Sequence, residues 1–145
     1  MRFNSVTSDL EFIGCSIKKL NITNDMVSFN EEVQKAMDLD FSSPRIDDSG
    51  EAKYAELNLK VLVEFSSEDQ SLGRIEIELE GAFMASKDVG REKFENLVAV
   101  NGGAALYSIC RAKVEAITAL TYSGGKVVLP FVNIVEYYKN RMKIS

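Results

Sequence analysis

Few residues in this sequence could carry out chemistry. There is no histidine, which removes imidazole general bases, Ser-His and Cys-His nucleophile pairs, and most zinc sites. The two cysteines, Cys15 and Cys110, do not make a secreted disulfide framework; the expectation is a pair of buried, reduced thiols. Asp38, Asp40, Asp47, Asp48 and Glu51 form a run of carboxylates. Calcium needs about six to eight oxygens and the EF-hand spacing is missing, so a polar strand face followed by a turn accounts for them. Asn101-Gly102-Gly103 at a helix start could cradle an anion, but it lacks the G-x-x-x-x-G-K-[ST] spacing of a phosphate loop. Gly125-Lys126 reads as a helix stop, and no G-x-S-x-G nucleophile elbow occurs. The expectation is a binding protein, not an enzyme, with no metal and no cofactor.

The rest of the composition agrees. The chain has 145 residues, 46% hydrophobic and 27% charged, with 17 Lys plus Arg against 22 Asp plus Glu and a net charge of −5. That length fits one domain spanning 1–145 and suffices to bury a core without staples. An acidic chain is a poor partner for nucleic acid or for an anionic membrane surface. No apolar run approaches the roughly 18–20 residues of a membrane span, and the first residues, MRFNSVTSDLEF, lack a signal-peptide core. A cytoplasmic location is expected.

The elements are legible from periodicity. Ala55, Leu57, Leu59, Val61, Val63 and Phe65 alternate with polar residues, Leu62 excepted, and Ile75, Ile77, Leu79, Gly81 and Phe83 alternate with Arg74, Glu76, Glu78 and Glu80. Period two marks strands with one buried face, and the polar connector SSEDQSLG, with Gly73, makes them a hairpin. From Leu10 to Ile22 a further strand changes phase near Gly14 and again near Lys18-Lys19, which points to bulges or to a strand apolar on both faces. Met37, Leu39 and Phe41 suggest a short strand after an irregular crossover; Phe29, Val33 and Met37 allow a rival helix over 30–37. Pro44 to Gly50 is a turn-rich break. Residues 91–98 form a short helical turn. Asn101-Gly102-Gly103 then leads into a long helix reaching Tyr122, with Leu106, Cys110, Val114, Ile117 and Leu120 as its apolar stripe and Ser123-Gly124-Gly125 as its stop. Residues 127–132 form an extended apolar linker. Asn133 and Glu136 resemble a capping box opening a last helix. Strands first and helices last is an α+β layout. A second stripe on the long helix, Ala105, Ser108, Ala112, Ala116 and Ala119, is made of small residues only and would let another helix approach closely, as an oligomer interface.

The stretch NGGAALYSICRAKVEAITALTYSGGKVVLPFVNIVEYY resembles the SecB-type export chaperone family. Ala105, Leu106, Tyr107, Arg111, Ile117, Thr118 and Leu120 match the family's long helix, and Gly124, Leu129, Pro130, Val132 and Asn133 match its linker. EIELEGAFMA and LEFIGCSIKKLNIT resemble its last and first strands. The resemblance implies a four-stranded antiparallel sheet with a long helix and a short C-terminal helix packed on one face. It also implies a homotetramer, a dimer of dimers joined through the long helices, and ATP-independent holding of unfolded polypeptides along apolar grooves, in the service of export or later folding.

Residues placed to line such a groove are Ile17, Leu20, Ile22, Met26, Val27 and Phe29 from the first strand and crossover, and Leu129, Phe131, Val132, Tyr137, Tyr138 and Met142 from the linker and last helix. Export members dock the secretion motor ATPase through acids on the outer sheet face. Glu76, Glu78 and Glu80 would supply that row, but Lys19 and Thr23 stand where the resemblance implies further acids, and the chain ends in basic residues. These departures argue against the motor as a partner. They favour a second reading, a dedicated adaptor or regulator on the same fold for one unstable, antitoxin-like protein.

Overall fold

A computed structural model of the chain describes residues 2, 8–26, 33–123 and 126–144, the last three without their side chains. Val27, Phe29, the Gly124-Gly125 stop and the Met142 side chain lie outside the described residues.

The alternating segments become long strands. In order, β1 is Glu11–Asn24, β2 Gln34–Phe41, β3 Arg45–Asp47, β4 Ala52–Ser67 and β5 Gln70–Ser86. They form one antiparallel sheet in the order β1-β5-β4-β2, with β3 also pairing with β4. The sheet therefore has five strands instead of four. The extra one, β3, arises because Ser42-Ser43-Pro44 interrupts the edge strand only briefly: Phe41 pairs with Leu59, and Arg45 resumes opposite Glu56. The rival helix over 30–37 is ruled out for its second half, where Gln34 to Met37 pair with β4.

The phase changes of β1 are bulges, between Phe12 and Gly14 and between Ile17 and Lys19. Each adds one residue to β1. Phe12, Cys15, Ile17, Leu20 and Ile22 thereby all fall opposite Phe83, Gly81, Leu79, Ile77 and Ile75 and share their face. An irregular hydrophobic pattern is thus restored to one continuous apolar face.

The β4–β5 hairpin is tighter than its sequence suggests. Ser67 pairs with Gln70, and the two residues between, Glu68 and Asp69, have φ of 51° and 63°. That is the left-handed pair which suits the twist of flanking strands. Gly73 belongs to no loop. It is a buried member of β5 between Phe65 and Asn24, and a Cβ there would lie 2.9 Å from the Thr23 carbonyl oxygen.

The helices follow as α1, Arg91–Leu97, and α2, Gly103–Thr121, joined by a π-type turn, Val98–Gly102. The Asn101-Gly102-Gly103 stretch is therefore not a helix start: both glycines have right-handed helical angles. Gly102 is there for closeness, since a Cβ would lie 3.0 Å from the Phe83 ring. Leu106, Cys110 and Val114 are buried on the sheet, but the stripe then shifts to Thr118, and Leu120 is 90% exposed. Thr118 accepts from the Val127 N–H at 2.7 Å, Arg111 donates to the Leu129 carbonyl at 2.9 Å, and Tyr107 donates to the Pro130 carbonyl. Three side chains of α2 thus peg the linker along it in the reverse direction. The last helix, α3, is Ile134–Ile144, and Asn133 Oδ1 caps the Glu136 N–H at 3.1 Å. Among the described residues no helix is long and apolar enough to cross a membrane.

Two substitutions test this register. Glu68→Asn with Asp69→Gly replaces two strained residues by the pair that favours φ > 0 and should raise stability by about 1 kcal/mol, read as a higher urea midpoint. Gly73→Ala should lower stability by roughly 1–3 kcal/mol; a loop glycine would tolerate it, so an unchanged midpoint would contradict the strand assignment.

Candidate functional site

The helix-side face of the sheet is wider than the helices that cover it. Its central strands are sealed: Leu57, Leu59, Val61, Val63, Phe65, Ile75, Ile77 and Leu79 are each at most 2% exposed. The edge strands are not. On β1, Phe12, Ile17 and Leu20 are 45%, 38% and 43% exposed, and on β2 Met37 is 38% exposed. Ile22 and Met26 are half-buried against the core, as are Leu39, Val132, Tyr137 and Tyr138. Two apolar flanks result, one along β1 and one along β2 beside α3.

The expected lining residues divide accordingly. Ile17, Leu20, Ile22 and Met26 fall on the β1 side. Tyr137 and Tyr138 meet Phe41 at the β2 edge, with ring centroids 5.4 and 6.3 Å apart. Leu129 is no lining residue in this structure: at 1% exposure it belongs to the core, because the pegs from α2 turn it inward. Phe131 is 89% exposed and has the Arg111 guanidinium 4.4 Å above its ring.

What sequence reasoning missed is the seat of α3. Arg141 Nη1 donates to Asp40 Oδ1 at 2.6 Å, to the Phe41 carbonyl at 2.7 Å and to Tyr137 Oη at 2.6 Å. The Phe41 N–H donates to Tyr137 Oη at 3.1 Å, and that hydroxyl donates to Asp40. Beside this cluster α3 overhangs a hollow of about 760 Å³ lined by Phe41, Pro44, Val100, Val135, Tyr138 and Arg141, among others. Among the described residues the buried Tyr138 hydroxyl has no hydrogen-bond partner, and burial pushes its pKa up to about 12. Asp40 between two apolar residues and Arg141 in the last helix were the available signals, but nothing in their spacing joins residues so far apart.

The small stripe of α2, Ala105, Ser108, Ala112, Ala116 and Ala119, lies on its exposed side with Leu120. The Glu row is on the opposite, helix-free face, and it is already matched by cations. Glu76 is 7% exposed, with Lys19 Nζ at 3.1 Å, Lys60 Nζ at 3.3 Å and Arg74 Nη2 at 3.6 Å. Glu78 pairs with Lys60 and Glu80 with Lys18. Hydrogen bonds from Lys19 and then Lys60 hold the Glu76 carboxyl below the usual range. A row so neutralised presents little negative charge to a partner.

The thiols are not the matched pair expected. Cys110 is buried and its pKa is pushed up to about 12 by burial, whereas Cys15, on an edge strand, is only half-buried. Burial raises the Cys15 pKa too, partly opposed by Lys113. A raised thiol pKa disfavours the nucleophilic thiolate. Among the described residues no three His, Cys, Asp or Glu side chains converge as metal ligands.

The sequence matches no protein-family model, and no curated protein is similar to it. Solved structures are. A SecB-like chaperone of Mycobacterium tuberculosis, Rv1957, solved in complex with a ChAD peptide from the Rv1956 HigA1 antitoxin, superposes with a TM-score of 0.64 at 15% identity, over 85% of this chain and 90% of that one. A protein of unknown function from Streptococcus agalactiae gives a TM-score of 0.45 at 12% identity, over 84% and 97%. With its antiparallel sheet, long helix and short C-terminal helix, the chain has a SecB-like α+β fold.

Proposed function

We propose that this protein is an ATP-independent holdase that binds non-native polypeptides along the two apolar flanks of its sheet. One observation carries the reading: on the helix-side face, Phe12, Ile17, Leu20 and Met37 stay between 38% and 45% exposed although they continue the core. A monomer gains by hiding such side chains. Full burial is worth about 1.5–3 kcal/mol each, so a client covering these half-exposed four gains a few kcal/mol. Ordering a bound chain costs roughly 1–2 kcal/mol per residue, so affinity must come from many contacts along an extended client, which suits a flank the length of a 14-residue strand. Ile22, Met26, Val132, Tyr137 and Tyr138 adjoin the flanks and would share the client; the Val27, Phe29 and Met142 side chains are assigned to it on sequence alone. A cytoplasmic setting and assembly through the exposed Ala105–Ala119 face of α2, as a homotetramer or dimer, belong to the same proposal.

A second reading has its own support. The Rv1957 structure holds an antitoxin peptide, and here the Glu76-Glu78-Glu80 row is neutralised by Lys18, Lys19, Lys60 and Arg74. Both favour an adaptor for one unstable partner over general delivery to a secretion motor.

Light-scattering assays of aggregation test the proposal. The purified protein should suppress aggregation of a chemically denatured client at stoichiometric ratio. Leu20→Glu with Met37→Glu, at exposed positions, should weaken this by about tenfold, or 1.4 kcal/mol, with the urea midpoint little changed. If both proteins fail to hold any unrelated client, the holdase reading is wrong and the single-partner adaptor remains. Ala112→Glu with Ala116→Glu should reduce the solution mass to that of a smaller assembly; an unchanged mass would place the oligomer contact elsewhere.

A further inference from the structure

The seat of α3 has the hydrogen-bond pattern of a missing strand. Phe41 is on the outer side of β2, and its N–H and C=O both point away from β4, since the next residue, Ser42, donates inward to the Asn58 carbonyl at 2.9 Å. In an antiparallel sheet one residue of a neighbouring strand would satisfy both groups, accepting from the N–H and donating to the C=O. Here two side chains of α3 do it: Tyr137 Oη accepts and the Arg141 guanidinium donates. The β2–β4 register runs without a shift from Gln34 to Phe41. By alternation Leu39 and Met37 therefore direct their N–H and C=O outward as well, and no described residue caps them. The side chains of Met37 and Leu39 lie on the apolar flank, and Phe41 continues their row into the core beneath α3.

The cover over Phe41 is held by the polar contacts of Tyr137 and Arg141 and is open beside them: it overhangs a solvent-open hollow of about 760 Å³, so close packing does not lock it to the sheet there. Among the described residues it also leaves the Tyr138 hydroxyl without a partner, and the twelve residues that join α2 to α3, 122–133, include a stretch without regular structure, 126–133.

The geometry points to α3 as a displaceable cover on a strand-addition site: an extended client segment pairs antiparallel or parallel with the outer edge of β2 at Met37 and Leu39, and takes over Phe41 when Tyr137 and Arg141 withdraw. This rests on the polypeptide-binding reading above and adds how the client is held. Main-chain hydrogen bonds give a sequence-tolerant grip, with alternate side chains reaching the apolar flank.

Amide hydrogen exchange on the full chain, with and without reduced, carboxymethylated lactalbumin as the unfolded client, tests it. Binding should newly protect the Met37 and Leu39 amides at least tenfold, while Asp38 and Asp40, already bonded to β4, change little. Met37→Pro removes an outward N–H without touching the ladder and should weaken binding at least tenfold, against less than threefold for Met37→Ala. Tyr137→Phe with Arg141→Met should speed exchange at Phe41 and strengthen client binding at least threefold. Client binding without new protection at Met37 and Leu39 overturns strand addition while leaving the holdase reading intact, and decides the matter even if Met37→Pro does not fold. Protection at both amides that appears without client and grows with protein concentration also overturns it, assigning the edge to a second copy. Wild-type protein that binds no unfolded client overturns the holdase reading and, with it, strand addition.

Discussion

A sheet with one apolar face must bury that face, and here the helices cover only its middle. Everything distinctive about the molecule descends from that mismatch in width. The central pair β4 and β5 is long and sealed beneath α1, the π-type turn and α2, so it supplies a rigid floor. The edge strands extend the floor on both sides with little cover, α3 reaching only the end of β2, and bulges in β1 keep its apolar side chains on the floor's face instead of letting the sequence phase turn them away.

The helical layer is narrow because much of its material is spent on a linker. Residues 126–133 run back along α2, pegged by Thr118, Arg111 and Tyr107, and deliver α3 to the β2 edge. The polar contacts of α3 with the sheet converge on Asp40 and Phe41. The two flanks therefore differ in kind: β1 presents a long, bulged edge with Lys18 and Lys19 on its outer face, whereas β2 presents a shorter edge with a helix resting on its end. The opposite face, where Lys18, Lys19, Lys60 and Arg74 neutralise the acids, is electrostatically quiet beside them.

Much of this was legible in the sequence because period two over long runs has one interpretation. The β4 and β5 strands, the bulges of β1, the long helix and the Asn133 cap all come from local patterns. What escaped were features set by partners distant in the chain. Gly73 looks like a loop glycine until β1 is laid against it. Asn101-Gly102-Gly103 looks like a helix break until Phe83 explains why a side chain cannot fit there. Arg45–Asp47 is too short to announce itself as a strand without β4 beside it. Leu129 looks as available as its neighbours in the linker until the pegs from α2 fix which way it turns. For the candidate site, Ile17, Leu20 and Ile22 lie on β1, but exposure depends on how much of the sheet the helices cover, and no periodicity reports that. The clamp of Asp40, Tyr137 and Arg141 joins residues about a hundred positions apart and had no local signature.

The account stands on the helix-side flanks being the surface that meets a non-native chain. Site-specific photo-crosslinking addresses this directly, with a benzophenone side chain placed in turn at Ile17, Leu20 and Met37 on the flanks and at Asn58 and Glu64 on the helix-free face, each mixed with a denatured client. The account predicts adducts from the three flank positions and none above background from the other two. Equal adducts from both faces, or adducts confined to Asn58 and Glu64, would contradict it.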